Sequence, residues 1–405
     1  MSTSKIHKIL HTGFGIKDVI LKSFDLLEGQ AIFRCKLKKS LRRCSCCRSQ
    51  NVEIKETKVR TLRMVALGAL KTFLEITVHK YRCRDCKTCA WVNLPFALGK
   101  FPMTRTFVNY ILSLIRLGTV QGVAIFLDLN WKSVKNIHKD FLATKYKKIN
   151  YRDLVYISVD EFAIRKGHKY MTVFTDIRTG RVIYAIEGRT VDIIEPFLQK
   201  LALKARKLKA IAMDLSPTYI AAVEKHLPGV DIVFDRFHVV KLLNEALDEL
   251  RRKERQKYID QGQDVGKGDR FLVLRNFSDL DDHGKTRLQK LFEINKSLAK
   301  AHAMKEQFRL FWDMRTKDEA ISFLIHWVIQ AVESHIAPLA RAAKTILRHS
   351  DGLLSFFDHQ ISNGKAEGIN NKIKVLKRKA YGYRDMEYFK LLLLDLHEKT
   401  QEFVG

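Results

Sequence analysis

The sequence predicts a multidomain α/β protein, and three observations carry that expectation. All seven cysteines fall between positions 35 and 89 of a 405-residue chain. A helical, basic stretch follows at about 104–146. From 155 onward, apolar strands and amphipathic helices succeed one another in the order β-β-β-α-β-α-β-α, and then the pattern turns helical. Together these read as an N-terminal zinc ribbon, a helix-turn-helix and a ribonuclease-H-like core with a helical insertion. The expected boundaries are a lead at 1–39, the ribbon at 40–98, the helix-turn-helix at 100–148 and the first part of the core at 153–240. An all-helical insertion at 241–362, a further core helix at 363–385 and a C-terminal helix at 386–405 complete the chain.

Composition narrows the function. The apolar fraction of 46% is ordinary, but 73 Lys and Arg stand against 44 Asp and Glu, a net charge of +29 with a pI of about 9.8. Such an excess calls for a polyanionic partner. A membrane surface is the weaker choice, since apolar runs such as 323–332 and 391–394 are far shorter than a spanning helix. The first residues have no apolar core of signal-peptide length. The expectation is therefore a cytoplasmic protein in contact with DNA or RNA. Clustered cysteines in such a chain favour a metal site over a disulfide scaffold.

In chain order, the alternation at 30–37 predicts a strand within the lead. Cys44/Cys47 and Cys83/Cys86 form two C-x-x-C knuckles. Each brings two sulfurs to one side, and four make the tetrahedral set of one structural Zn²⁺. Segments 52–59 and 75–81 alternate as the strands that would fold the knuckles together. Cys46 and Cys89 leave the ligand set open, because Cys86 and Cys89 form a competing pair. Helical spacing joins Phe107, Tyr110, Ile111, Leu114 and Ile115, and a second helix is expected at 119–127. After a break at 128–130, segment 131–146 sets Val134, Ile137 and Phe141 on an apolar face. Lys132, Lys135, Asn136 and Lys139 lie opposite, as a DNA-reading helix requires.

The stretch 155–186 predicts three strands joined by glycine-bearing turns at 165–168 and 178–181. Asp160 and Glu161 end the first strand. A helix at about 190–207, a strand at 208–214, a helix at 217–226 and a strand at 230–234 follow, and residues 235–238 open the next helix. In this topology the first strand lies parallel to the fourth, so Asp160 and Asp214 would face each other. Residues 239–362 read as helical and basic, with Phe308, Phe311, Trp312 and Trp327 as core. On the helix after Gly364, Glu367 shares a face with Asn370 or Asn371 and with Lys374, amid Lys372, Lys377, Arg378 and Lys379. A terminal amphipathic helix is expected at 386–403.

Asp160, Asp214 and Glu367 are the oxygen ligands that a pair of Mg²⁺ (or Mn²⁺) ions needs. Two such ions about 4 Å apart activate the attacking oxygen and stabilise the leaving one at a phosphodiester. Neighbouring strand residues point to opposite faces, so one of Asp160 and Glu161 enters the site; we take Asp160 and leave Glu161 to a salt bridge. Asp214 alone could cap the following helix, and Glu367 alone could be a solvated partner of lysine.

The segments ISVDEFAIRKGHKYMTVFTDIRTGRV, AMDLSPTYIAAV, DRFHVVKLLNEALDELRR and SNGKAEGINNKIKVLKRKAYGYR resemble the ISL3 family of bacterial insertion-sequence transposases. The resemblance spans most of the chain and implies a DDE transposase, with Asp160, Asp214 and Glu367 as its three carboxylates. It also implies auxiliary roles for Asp235 and His238, and a helical insertion between Asp214 and Glu367. The extra Cys46 and Cys89 are the departure. The implied reaction is hydrolysis at the transposon ends, freeing a 3′-hydroxyl that attacks target DNA. Double-stranded DNA is then the partner, held by a homodimer or higher assembly in the bacterial nucleoid. Arg165, Lys166 and His168 at the first turn, with Asn371, Lys374, Lys377 and Arg378, are the further expected DNA contacts. The alternatives are a transposase-derived DNA-binding regulator and a structure-specific nuclease without strand transfer.

Overall fold

The computed structural model describes residues 3–165, 169–262, 268–361, 364–380 and 382–397, and for 3–4 and 364–367 it describes the backbone alone. The chain divides into two compact units, Met1–Thr144 and Lys145–Gly405.

The first unit opens with helix α1 (Thr3–Lys8) and strands β1 (Val19–Leu27) and β2 (Gln30–Leu37). Strands β3 (Val52–Arg63), β4 (Lys71–Cys83) and β5 (Cys89–Trp91) follow, and the sheet order is β1-β2-β4-β3 with β5 on β4. The strand expected at 30–37 is β2. It runs parallel to β4 with Cys35 opposite Ile76, so residues 1–39 do not stand apart from the knuckles. Phe33, Leu62, Leu74 and Ile76 fill one shared core, because a two-stranded hairpin gains stability by docking on a larger sheet. Strands β3 and β4 pair antiparallel from Val52↔Cys83 to Arg63↔Phe73. They run further than the alternation indicated and set the two knuckles at one end of the sheet.

Helices α2 (Arg105–Leu117), α3 (Val120–Leu127) and α4 (Trp131–Lys145) complete the unit. Thr104 and Thr119 cap α2 and α3 through their hydroxyls. Asp128, in the left-handed region at φ 51°, turns the chain between α3 and α4. Val134, Ile137, His138 and Leu142 form the buried stripe of α4, whereas Phe141 is 39% exposed. The expected face thus holds at Val134 and Ile137 and fails at Phe141, where His138 and Leu142 complete the stripe instead. On α2 the same occurs: Val108 is buried and Tyr110 exposed.

In the second unit, β6 (Tyr156–Arg165), β7 (Lys169–Asp176) and β8 (Arg181–Glu187) form an antiparallel meander. Helix α5 (Val191–Lys204), β9 (Ala210–Met213), α6 (Pro217–His226) and β10 (Asp231–Phe234) follow. The sheet order is β10-β9-β6-β7-β8, with β9 parallel to both β6 and β10. Strand alternation divides the side chains cleanly. Ile157, Val159, Phe174, Ile211, Met213 and Phe234 face the core shared with α5 and α6. Met171, Val173, Val182 and Ala185 face the other way.

Helices α7 (Arg236–Asp260), α8 (Arg270–Leu274), α9 (Asp282–Ile294), α10 (Lys296–Phe308), α11 (Lys317–Glu333), α12 (Ala337–Arg348) and α13 (Ser350–His359) make up the long helical stretch. It is not a separately packed block. Leu243, Phe308 and Trp327 belong to the same core as Phe174 and Phe197, and α7 begins at the sheet and runs unbroken across position 241. A contiguous apolar surface buried once is more economical than two separate cores. Lys305, 2% exposed, satisfies its charge on the carbonyls of Leu274 and Arg275 at 3.1 and 3.0 Å, where α8 ends.

Helices α14 (Gly364–Lys379) and α15 (Met386–Leu394) cover the second sheet face, burying Ile369, Ile373, Phe389 and Leu393 against Met171 and Val173. Helix α15 stops well short of the expected 403. Asp395, 7% exposed, leaves the helix to accept bonds from Tyr146 Oη at 2.8 Å and Lys145 Nζ at 2.9 Å. Residues 398–405 lie outside the described residues. Among the described residues, no helix is long and apolar enough to cross a membrane.

Candidate catalytic and metal centres

Two groups of side chains among the described residues can hold a metal ion: Cys44, Cys47, Cys83 and Cys86, and Asp214, Asp235 and His238.

In the cysteine group the four sulfurs lie within 4.8 Å of one another. The Sγ atoms of Cys44 and Cys86 are 3.5 Å apart, and those of Cys47 and Cys83 are 3.6 Å apart. A tetrahedral site with Zn–S bonds of about 2.3 Å has sulfur–sulfur edges of about 3.8 Å, so the pocket is within a few tenths of an ångström of that size. The backbone amide of Cys46 donates to Cys44 Sγ at 3.3 Å, which accounts for the residue between the knuckle cysteines. Cys46 and Cys89 themselves are exposed and outside the group. The backbone amide of Ser49 favours the Cys47 thiolate, but hydrogen bonds shared with Cys86 and Cys83 outweigh it and push the thiol up to about 12. The Thr88 hydroxyl and backbone amide bring Cys86 down to about 6. Four sulfurs this close cannot all ionise without a cation, so the donor set fits a metal. The seventh cysteine, Cys35, is buried in the sheet, and burial alone pushes its thiol up to about 12.

The second group forms where the parallel strands end. Ser158 pairs with Ala212, and two residues further along both strands are Asp160 and Asp214. Phe234 pairs with Met213, which puts Asp235 beside Asp214 on the other flank. Ligand crevices form at the carboxyl ends of strands in such sheets. Asp235 caps α7, accepting from Phe237 N at 3.2 Å. His238, one turn into α7, places Nδ1 2.7 Å from Asp214 and 3.2 Å from Asp235. Burial opposes charge on this imidazole, but its hydrogen bonds to the two carboxylates prevail and hold it up at about 9.

Alternation turns Asp160 toward α14. Its carboxylate accepts from Asn370 Nδ2 at 2.5 Å and from the Glu161 amide at 2.7 Å. Burial, opposed by these bonds, still holds Asp160 above the usual carboxylate range, with Asp214 adding to the shift. A half-buried pair of neighbouring carboxylates fits a divalent cation. Glu161 points to the opposite face, where it meets the Tyr219 hydroxyl and the charge of Arg189. Asp160, Glu161, Arg189, Asp214, Ser216, Thr218 and Tyr219 all line a cavity of about 310 Å³.

Glu367 lies on α14 three residues before Asn370, and its side chain is outside the described set. Lys166 and His168 are also outside the described residues. Arg165 donates to the Tyr383 carbonyl at 3.0 Å. Lys377 is turned inward to the Ala163 carbonyl, so it ties α14 to β6. Asn371, Lys374 and Arg378 are exposed on α14, and Lys132 and Asn136 on α4. Lys135 and Lys139 are half-buried there. Sequence reasoning left Asn370 undecided against Asn371, and it passed over Arg189 and Tyr219. The Gly188 turn ahead of Arg189, at φ 105°, was the available signal.

A family model described as Transposase, of the ISL3 DDE type, matches residues 157–393. The transposase of insertion sequence IS1001 from Bordetella parapertussis is 31% identical over 351 residues, 85% of this chain and 86% of that one. The transposase of IS1557 from Mycobacterium tuberculosis is 25% identical over 377 residues, 85% of this chain and 83% of that one. The solved Drosophila P element transposase strand transfer complex aligns with a TM-score of 0.41 and 9% identity, over 73% of this chain and 92% of that one, a likeness too slight to bear on the fold. With the model spanning more than half of its length and a relative above 30% identity along most of it, the chain belongs to the ISL3 family of DDE transposases.

Proposed function

We propose that the second unit is a ribonuclease-H-like core that cuts DNA at the ends of an insertion sequence and joins the freed 3′-hydroxyl to target DNA. The observation that carries this reading is the parallel register of β6 and β9, which sets Asp160 across from Asp214 with Asn370 of α14 on the same carboxylate. Glu367 on that helix is the third carboxylate in this proposal. Divalent ions held by Asp160, Asp214 and Glu367 would supply Lewis-acid activation of the attacking oxygen and charge for the departing one. The chain's own residues prepare the site. Asn370 and the Glu161 amide fix the Asp160 rotamer, and Asp235 orients His238. His238, held charged, offsets part of the negative charge on Asp214 and pins it in place. Asn371, Lys374 and Arg378, on the solvent side of α14, are placed to take the DNA backbone.

In the first unit, α3 and α4 form a helix-turn-helix that offers Lys132 and Asn136 to DNA, flanked by Lys135 and Lys139. The cysteine group is a structural zinc site. The proposed division keeps the ribbon, the helix-turn-helix and the core, with the lead joined to the ribbon sheet and the helices from α7 to α13 counted with the core they pack on. Both ends of the element must be held at once, so the working form is a homodimer or a higher assembly.

The test is to incubate the protein with Mg²⁺ or Mn²⁺ and duplexes carrying the ends of its element. Wild-type protein cuts and joins; Asp160→Asn binds without cutting. No cutting, or cutting that persists in Asp160→Asn, overturns the site. Cutting without joining favours the nuclease reading instead.

A further inference from the structure

We propose that the cavity beside Asp160 and Asp214 receives one unstacked nucleobase of the DNA being cut, an inference that rests on reading those carboxylates as the cutting site. The cavity, about 310 Å³, lies at the small end of the range for small-molecule pockets. Its wall on the α6 side is built from groups the cutting chemistry does not use: Glu161, Arg189, Ser216, Thr218 and Tyr219.

These groups are held in place. Tyr219, 4% exposed, bonds Glu161 and lies 3.2 Å from the Thr172 hydroxyl. Thr172 in turn donates to the Gly188 carbonyl at 2.7 Å. At Gly188 the chain turns at φ 105°, and a Cβ would fall 2.3 Å from Ile193, so glycine is what brings Arg189 to the rim. The Arg189 guanidinium is seated over the Tyr170 ring at 4.3 Å. A preset acceptor, Glu161, thus stands beside a preset donor, Arg189. Carboxylates accept from base amino groups, and guanidinium donates to ring nitrogens and carbonyl oxygens.

Charge selects the occupant. Asp160, Glu161 and Asp214 line the cavity against the single guanidinium of Arg189. With Asp160 and Asp214 engaged by the ions and the scissile phosphate, the remaining wall offers one carboxylate, Glu161, beside one guanidinium, Arg189, a pair that matches the edge of a neutral base better than a second phosphate. Because the same cavity touches both catalytic carboxylates, the base belongs to a nucleotide next to the cut. Enzymes that need room at a duplex commonly take a base out of the stack and read its edge in such a pocket.

The test places 2-aminopurine at successive positions around the cut in duplexes carrying the element's ends. Fluorescence is followed as the protein engages and cuts them. One position is expected to brighten several-fold with wild-type protein. At equal DNA occupancy, Glu161→Gln and Arg189→Ala blunt that rise and slow cutting, and an abasic site at the same position restores their rate. If wild-type protein cuts but no position brightens, the inference falls and the cutting site stands. It falls equally if both variants brighten the probe as wild type does, or if the abasic duplex gives no rescue. If wild-type protein does not cut at all, the cutting-site reading falls and takes this inference with it.

Discussion

Replacing Cys47 with serine tests the first unit most directly. The four sulfurs of Cys44, Cys47, Cys83 and Cys86 stand within 4.8 Å of one another, with the closest edges at 3.5 and 3.6 Å against about 3.8 Å in a zinc tetrathiolate. A zinc ion bound here would take all four sulfurs and leave no position for water. Structural zinc sites of this type contribute about 10–16 kcal/mol of binding free energy at neutral pH, a Kd between roughly 10⁻⁷ and 10⁻¹² M. At free zinc a hundredfold above Kd, occupancy stabilises the folded unit by about 2.7 kcal/mol. Metal analysis of the purified chain should give one zinc per molecule, and Co²⁺ in its place should show the absorption of a tetrahedral thiolate site. Cys47→Ser should lose the metal and melt earlier. Cys46→Ser and Cys89→Ser should each keep one zinc, since neither sulfur is in the group. Chelation should also loosen the knuckle end of the sheet, because Cys44 and Cys83 are buried in the same core as Phe33, Leu62, Leu74 and Ile76. Absence of bound metal from the wild-type chain, or its loss in Cys46→Ser or Cys89→Ser, refutes the ligand set.

Other consequences can be measured separately. Asn370→Ala removes the amide that orients Asp160; such supporting bonds are typically worth 10–100-fold in metal affinity or activity, so a Mg²⁺ titration of end cleavage should shift by about that factor. A Cβ on Gly352 would meet three Phe234 ring carbons at 2.2, 2.5 and 2.9 Å. Overpacking of this kind costs about 1–3 kcal/mol, more than the roughly 1 kcal/mol that alanine gains over glycine in a helix. Thermal unfolding of Gly352→Ala should therefore start lower, and an unchanged melting temperature would show that α13 can shift away from β10. Burial, with the nearby charge of Lys305, holds His302 below its ordinary value of 6.5. The unfolded chain then binds the extra proton first, so this residue's contribution is intact above 6.5 and is lost as pH falls toward the lower folded value. Denaturant midpoints measured from pH 7 downward should fall less steeply in His302→Gln.

Much of the site was legible in the chain itself, because local rules govern it. Two C-x-x-C knuckles imply a four-sulfur site, and strand alternation puts Asp160 and Glu161 on opposite faces, although the structure had to show that Asp160 is the one turned toward α14. The order of elements puts β6 beside β9, so Asp160 opposite Asp214 follows from connectivity. What failed was whatever depends on packing between distant segments. The expected apolar faces of α2 and α4 held at Phe107, Ile111, Ile115, Val134 and Ile137 and missed at Tyr110 and Phe141, since only the neighbouring elements decide where the edge of a broad apolar stripe is covered. The C-terminal helix ends early because a buried Asp395 meets Lys145 and Tyr146, about 250 positions away. Helices α7 to α13 share one core with the sheet, which no local pattern announces. By itself the sequence determined the cysteine pairs, the parallel pairing of β6 with β9 and Asp214 at the end of β9, but it ended the first strand at Asp160 and Glu161, whereas β6 runs on to Arg165. Only the tertiary structure decided that Asn370 rather than Asn371 meets Asp160, and that Glu161, Arg189 and Tyr219 wall a cavity that Asp160 and Asp214 also line. Side-chain contacts across hundreds of residues are set by packing, and local periodicity carries no record of it.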